Sequence, residues 1–173
     1  MARSWPKRVA RLLRHRVVDE RSARRAIPPD ALARLTQLVR ESEARHSGEI
    51  RVYVEAALPT HFVLRDATPR DRAIAVFGEL RTWDTAHNNG VLIYLLLSER
   101  AIEIVADRGV TAHVPDEEWR RIVEGMRGEF RSGRYEQGLA QAIDAVTRHL
   151  AQHFALAPGE DNPNELPDEP VLG

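Results

Sequence analysis

The sequence contains no cysteine, which removes disulfide bridges, thiolate nucleophiles and zinc–thiolate centres and suits a reducing compartment. Its longest uninterrupted apolar run is Val91 to Leu97, far short of the roughly 20 residues that a membrane-spanning helix needs. Neither Gly-x-Gly-x-x-Gly, Gly-x-x-x-x-Gly-Lys nor Gly-x-Ser-x-Gly occurs, so dinucleotide folds, P-loop enzymes and serine hydrolases lack support. Aromatic side chains make up only 6% of the 173 residues. A nucleic-acid surface usually pairs stacking rings with a basic face, so nucleic acid is not an expected partner.

A hydrophobic content of 43% is enough for one core of ordinary size. The net charge of −1 conceals an asymmetry. Of 25 basic and 26 acidic side chains, nine basic and two acidic ones lie in the first 25 residues. A basic arm, residues 1–27, is thus attached to an acidic body. Within the arm Trp5, Val9, Leu12, Leu13 and Val17 recur at helical spacing, with arginines filling the opposite face. Two readings stand: a helix drawn to an anionic membrane surface or an unknown protein partner, or a helix packed on its own acidic domain. Arg8, Arg11, Arg14 and Arg16 interrupt any signal-peptide core. The expected location is therefore the cytoplasm, with the arm at the inner membrane face.

The body, residues 28–156, reads as α-β-α-β-β-α-α. Ile27-Pro28-Pro29-Asp30 opens a helix carrying Leu32, Leu35, Leu38 and Val39. Glu49 to Glu55 alternates at period two, as a strand does. Thr68-Pro69-Arg70-Asp71 has the pattern of a capped helix start. Val91 to Leu97 suits a central strand, joined through Ser98-Glu99-Arg100 to a second strand, Ala101 to Asp107. Two helices follow, one opened at Pro115 and one running from Tyr135 to Leu150, with Gly133 between them. Residues 157–173 hold four prolines and five acids with no basic residue, the composition of a flexible tail. Asn164-Glu165-Leu166-Pro167 within it has the form of a docking peptide.

A β-α-β crossover makes the Glu49 and Val91 strands parallel, and the hairpin returns the third strand antiparallel, giving a mixed sheet with helices on its faces. The entry ends of two strands and the exit end of the third then share one edge. That edge gathers Glu49, Asp84-Thr85-Ala86-His87-Asn88-Asn89-Gly90 and Asp107-Arg108-Gly109, with Glu55 at the far end. Glu49, Asp84, Asn88, Asn89 and Asp107 offer the oxygens a hard divalent cation requires. The alternative is a ligand-free turn, with Asp84 as its cap and Asp107 paired to Arg108. His149 and His153 share a helix face, but Leu150 stands where a zinc protease needs glutamate, so they read as ordinary helix residues. His87 reads as a solvated loop histidine.

The segment Trp83-Asp84-Thr85-Ala86-His87-Asn88-Asn89-Gly90-Val91-Leu92-Ile93 resembles the TPM domain family, in which an Asn-Asn-Gly turn leads into an apolar strand. Ser47-Gly48-Glu49-Ile50, Ala101 to Gly109, and Phe130-Arg131-Ser132-Gly133-Arg134-Tyr135 match further family segments in order, so the resemblance spans residues 30–154. It implies a three-layer α/β/α sandwich. It also implies a ligand loop near the Asn-Asn-Gly turn, since calcium binding and acid phosphatase activity are associated with some plant members. Asp107-Arg108-Gly109 departs from the family's usual Gly-Tyr-Gly and alters the charge there.

Three functional readings follow. The first is a non-catalytic module that binds Ca²⁺ or Mg²⁺ at the shared edge and a protein or membrane surface through the arm. The second is a metal-assisted phosphatase in which Asp84 or Asp107 is base or nucleophile and Arg108 stabilises developing charge. The third is a ligand-free interaction protein. None calls for a nucleotide cofactor.

Overall fold

In a computed structural model, residues 5–173 are described, with side chains from residue 9 onward. The expected packing of Trp5 and the charges of Arg3, Lys7 and Arg8 fall outside the described side chains. The elements run α1 Trp5–Val17, α2 Glu20–Ala26, α3 Pro29–Glu43, β1 Glu49–Glu55, α4 Thr60–Leu64, α5 Pro69–Glu79, β2 Gly90–Leu96, β3 Ala101–Ala106, α6 Arg108–Thr111, α7 Asp116–Arg131, α8 Tyr135–His153 and β4 Val171–Leu172. The short helices α4 and α6 have no clear periodic signal in the sequence, because one turn is too short to show a period.

Local chemistry accounts for the long elements. Pro29 sits at the start of α3, where its missing N–H costs nothing, with Asp30 at the positive helix end. At the start of α5 the Asp71 N–H donates to Thr68 Oγ1 at 3.1 Å and the Thr68 N–H to Asp71 Oδ2 at 2.7 Å, closing a capping box. Every residue of β2 is buried, as its unbroken apolar run requires of a strand covered on both faces.

The sheet order is β3-β2-β1-β4, with β1 parallel to β2 and β4 and β2 antiparallel to β3. Ile50, Val52 and Val54 of β1 and Val91, Ile93 and Leu95 of β2 share one face with α2, α3, α7 and α8. Leu92, Tyr94 and Leu96 point the other way, into a second core with α4 and α5. The result is the expected three-layer α/β/α sandwich. The second face also buries a polar network in which Glu55 accepts Tyr94 Oη at 2.5 Å and Arg72 Nη2 at 2.8 Å.

Two expectations change. The acidic tail does not stand away from the domain. Its last residues form β4 against Tyr53 and Val54, Asn162 Nδ2 donates to the carbonyls of Glu43 and His46 at 3.0 and 3.1 Å, and Arg40 pairs with Asp168 at 2.8 Å. Leu166 and Pro170 of the tail are buried, and Leu172 packs against the first core. The domain supplies the unpaired edge of β1 and the cations that hold it.

The basic arm packs on its own domain by only part of the face its periodicity marks: Leu12 packs on the second core and Val9 is half-buried. Arg11 and His15 turn inward to Glu99, while Leu13 and Val17 are exposed. A buried carboxylate with two cationic or donor partners outweighs two small apolar contacts in setting the helix's rotation.

Candidate functional site

The β1–β2 register pairs Glu49 with Gly90, and β2–β3 pairs Val91 with Ala106, so the three strand ends meet at one edge as the topology predicts. Two main-chain bonds lock the loops together there. The Asp107 N–H donates to the Gly90 carbonyl and the Gly109 N–H to the Asn88 carbonyl, each at 2.9 Å.

The loop between α5 and β2 folds on itself. The Asp84 N–H reaches the Arg81 carbonyl at 2.8 Å, the Asn88 N–H reaches that of Thr85 at 3.2 Å, and Thr85 Oγ1 accepts the Asn89 N–H at 3.0 Å. Asn88 adopts a left-handed conformation with φ 52°, which asparagine tolerates better than most residues. Gly90 is required by space, since a Cβ there would lie 1.8 Å from the Thr82 carbonyl oxygen. At Gly109 a Cβ would lie 2.5 Å from the Asn88 oxygen.

The five residues named as cation ligands divide into two groups. Asn88, Asn89 and Asp107 stand together. Asn89 is fully buried, and its Nδ2 donates to Ser47 O and Oγ at 3.0 and 3.2 Å while its Oδ1 has no partner. Asp107 Oδ1 accepts the Arg108 N–H at 2.7 Å and starts α6, while its buried Oδ2 has no partner. Thr82 Oγ1, on the residue packed over Gly90, is likewise buried and unpartnered. Three of the four buried side-chain polar atoms without a partner among the described residues thus flank Gly90. Buried polar groups are nearly always satisfied, and a hydroxyl, an amide and a carboxylate oxygen left without partners could each accept a donor or bind a cation.

Glu49 and Asp84 are engaged elsewhere. Glu49 accepts the N–H groups of Glu165 and Leu166 at 3.2 and 3.1 Å, and Asp84 pairs with Arg81 at 2.6 Å on the exposed side of the loop. Burial raises the Glu49 carboxyl above its ordinary value, opposed by those two hydrogen bonds and reinforced by the charges of Glu165 and Asp168. Arg108 Nε donates to Asn88 Oδ1 at 3.1 Å, so the guanidinium covers an amide oxygen and its main-chain N–H, not its side chain, meets Asp107. Among the described residues no three His, Asp or Glu side chains cluster closely enough to hold an ion by themselves.

Sequence reasoning missed Thr82, Ser47 as the partner of Asn89, and the tail. Glu165 accepts the Ala86 N–H at 2.9 Å, tying the tail into the Asn-Asn-Gly loop. The docking-peptide form of Asn164 to Pro167 was the available signal. On α8, His149 meets the Trp119 ring edge-on at 5.1 Å, and His153 stacks on His113 at 4.9 Å.

Residues 22–149 match the TPM domain family. The chain belongs to the TPM domain family. The NMR structure of the BA42 protein from the psychrophilic bacterium Bizionia argentinensis is similar, with 28% identity and a TM-score of 0.73 over 85% of this chain and 95% of that one. The N-terminal domain of a protein from P. gingivalis, at 24% identity and a TM-score of 0.59 over 76% of this chain and 83% of that one, shares the fold. No curated protein shows significant similarity. Among the described residues of this TPM protein no helix is long and apolar enough to cross a membrane.

Proposed function

We propose that this TPM-domain chain is a non-catalytic module that takes a divalent cation, Ca²⁺ or Mg²⁺, at the edge where Gly90 meets Asp107. The observation that carries the reading is the set of buried oxygens around Gly90 that lack partners: Thr82 Oγ1, Asn89 Oδ1 and Asp107 Oδ2. Hydroxyl, amide and carboxylate oxygens are hard donors of the kind these ions prefer, and water can complete such a shell. Asn88 Oδ1 joins once Arg108 is displaced. Asp84 and Glu49 contribute charge nearby rather than direct bonds, because Arg81 and the tail hold them.

A phosphatase using Asp84 as base or nucleophile is less well supported, since that carboxylate is already paired to Arg81. The test is a two-dimensional amide NMR titration with Ca²⁺ and then Mg²⁺. Saturable shifts are expected at residues 49, 82–90 and 107–109, lost in Asp107→Asn, which keeps the oxygen that caps α6, and retained in Asp84→Ala. Unmoved amides at millimolar metal would sink the proposal.

A further inference from the structure

The inward side of α1 carries Arg11 and His15 beside Leu12, which packs on the second core, while Leu13 and Val17 are left on its exposed side. Arg11 is 6% exposed and donates from Nε to Glu99 Oε1 at 2.6 Å and from Nη2 to the Ala67 carbonyl at 2.6 Å. His15 is 8% exposed. Its Nδ1 accepts the Leu58 N–H at 3.0 Å, so Nε2 carries the proton and donates to Glu99 at 2.9 Å. These bonds come from three separate segments of the domain and fix the rotation of the helix.

That rotation places Leu13 and Val17, one turn apart, outward at 61% and 80% exposure. Arg14 and Arg16, beside them on α1, are exposed, as are Arg21, Arg24 and Arg25 on the next helix, α2. An apolar stripe rimmed by cations lies on the basic end of a chain whose remainder carries 24 acids against 16 basic residues.

We infer that this face of α1 binds the surface of an anionic lipid bilayer, independently of any cation at the Gly90 edge. Charge selects the occupant: guanidinium groups at headgroup level meet lipid phosphates and carboxylates while Leu13 and Val17 enter the interface. Two aliphatic side chains make a stripe too narrow for the apolar core of a stable protein–protein interface, which needs on the order of 800 Å² from each partner. The same stripe with a cationic rim suffices for reversible attachment to lipid, where many weak charge contacts add.

The experiment is co-sedimentation of the full chain with vesicles of phosphatidylcholine alone and of phosphatidylcholine with phosphatidylserine at about 2:1. Binding is expected to the anionic vesicles only, to fall with added salt, and to drop about tenfold or more in Leu13→Glu/Val17→Glu and in Arg14→Glu/Arg16→Glu. Circular dichroism melting shows that the variants remain folded. No binding to anionic vesicles, equal binding to neutral ones, or unchanged binding by Leu13→Glu/Val17→Glu would each overturn the inference. A concentration-dependent dimer in lipid-free solution that the same variant abolishes would assign the face to a second copy and overturn it as well.

Discussion

Glu49 accepts the amide N–H of Leu166 at 3.1 Å, joining the first residue of β1 to a tail residue 117 positions away. The same carboxylate accepts the Glu165 N–H, and Arg51, two residues along the strand, donates to the Pro167 carbonyl. The side chains at the start of β1 therefore hold the tail before its backbone pairs at Tyr53 and Val54.

Replacing Glu49 by alanine leaves two N–H groups of the tail without an acceptor. The expected cost is about 1–3 kcal/mol, the usual penalty for stranding buried hydrogen-bonding groups. Hydrogen exchange locates it: protection should be lost at residues 165–173, while β2 amides exchange as before. Unchanged protection of Leu166 would show that β4 pairing alone secures the tail.

Gly90 and Gly78 make a matched pair of glycine-to-alanine tests. A Cβ at Gly90 meets the Thr82 carbonyl, a backbone atom that moves only with the loop, whereas a Cβ at Gly78 in α5 meets nothing within 4 Å. Gly90→Ala should lose about 3 kcal/mol or more through overpacking. Gly78→Ala should gain about 0.5–1 kcal/mol from reduced backbone entropy in a helix. Urea unfolding of both variants measures the contrast.

What was legible in the sequence was what neighbours decide. Thr68 and Asp71 cap α5 within four residues of chain, and the apolar run of β2 can be satisfied only between two layers. The shared edge followed because one crossover and one hairpin leave little freedom in where strand ends go. The tail was illegible because its composition says only that it cannot fold alone, and nothing near Leu166 in sequence announces Glu49. Helical periodicity located an apolar face along Trp5, Val9, Leu12, Leu13 and Val17, but the bond to Glu99, 88 residues beyond Arg11, turned the helix so that Leu13 and Val17 stay outside. Thr82 carries no motif, and its place in the candidate site comes from backbone packing over Gly90.

The Glu55–Arg72–Tyr94 network on the second core face is buried, and Arg72 also reaches Glu79 at 2.7 Å. Arg72→Met removes the cation and strands Glu55, at an expected cost of about 3–5 kcal/mol. Arg72→Met/Glu55→Gln removes both charges and keeps an acceptor for Tyr94 Oη. It should be the more stable of the two by chemical denaturation, since an unpaired buried charge costs more than the pair returns. Equal stability would mean that water reaches Glu55.

His46 and Glu43 give the fold opposite pH dependences. His46 is fully buried, with ring nitrogens bonded to Ser42 Oγ at 2.8 Å and the Gly48 carbonyl at 3.1 Å, and burial depresses it from 6.5 to about 4. The unfolded chain takes up this proton first, so the contribution, about 3 kcal/mol, is full above pH 6.5 and is lost as pH falls toward 4. Glu43 accepts the Ile50 N–H at 2.9 Å, yet burial, with the charges of Glu49 and Asp168, raises it from 4.5 to about 8. Here the folded chain holds the proton longer, so the contribution is full below pH 4.5 and is lost as pH rises through 8. Above about pH 6.5 the His46 contribution is constant, so Glu43, with the carboxyls of Glu49 and half-buried Glu103 that burial also raises, lowers stability toward pH 8. Glu43→Gln keeps the acceptor for Ile50 without an ionisable proton, so the variant's urea-unfolding free energy should decline over that interval less steeply than that of the wild type. A parallel decline in both proteins would assign the pH dependence to another group.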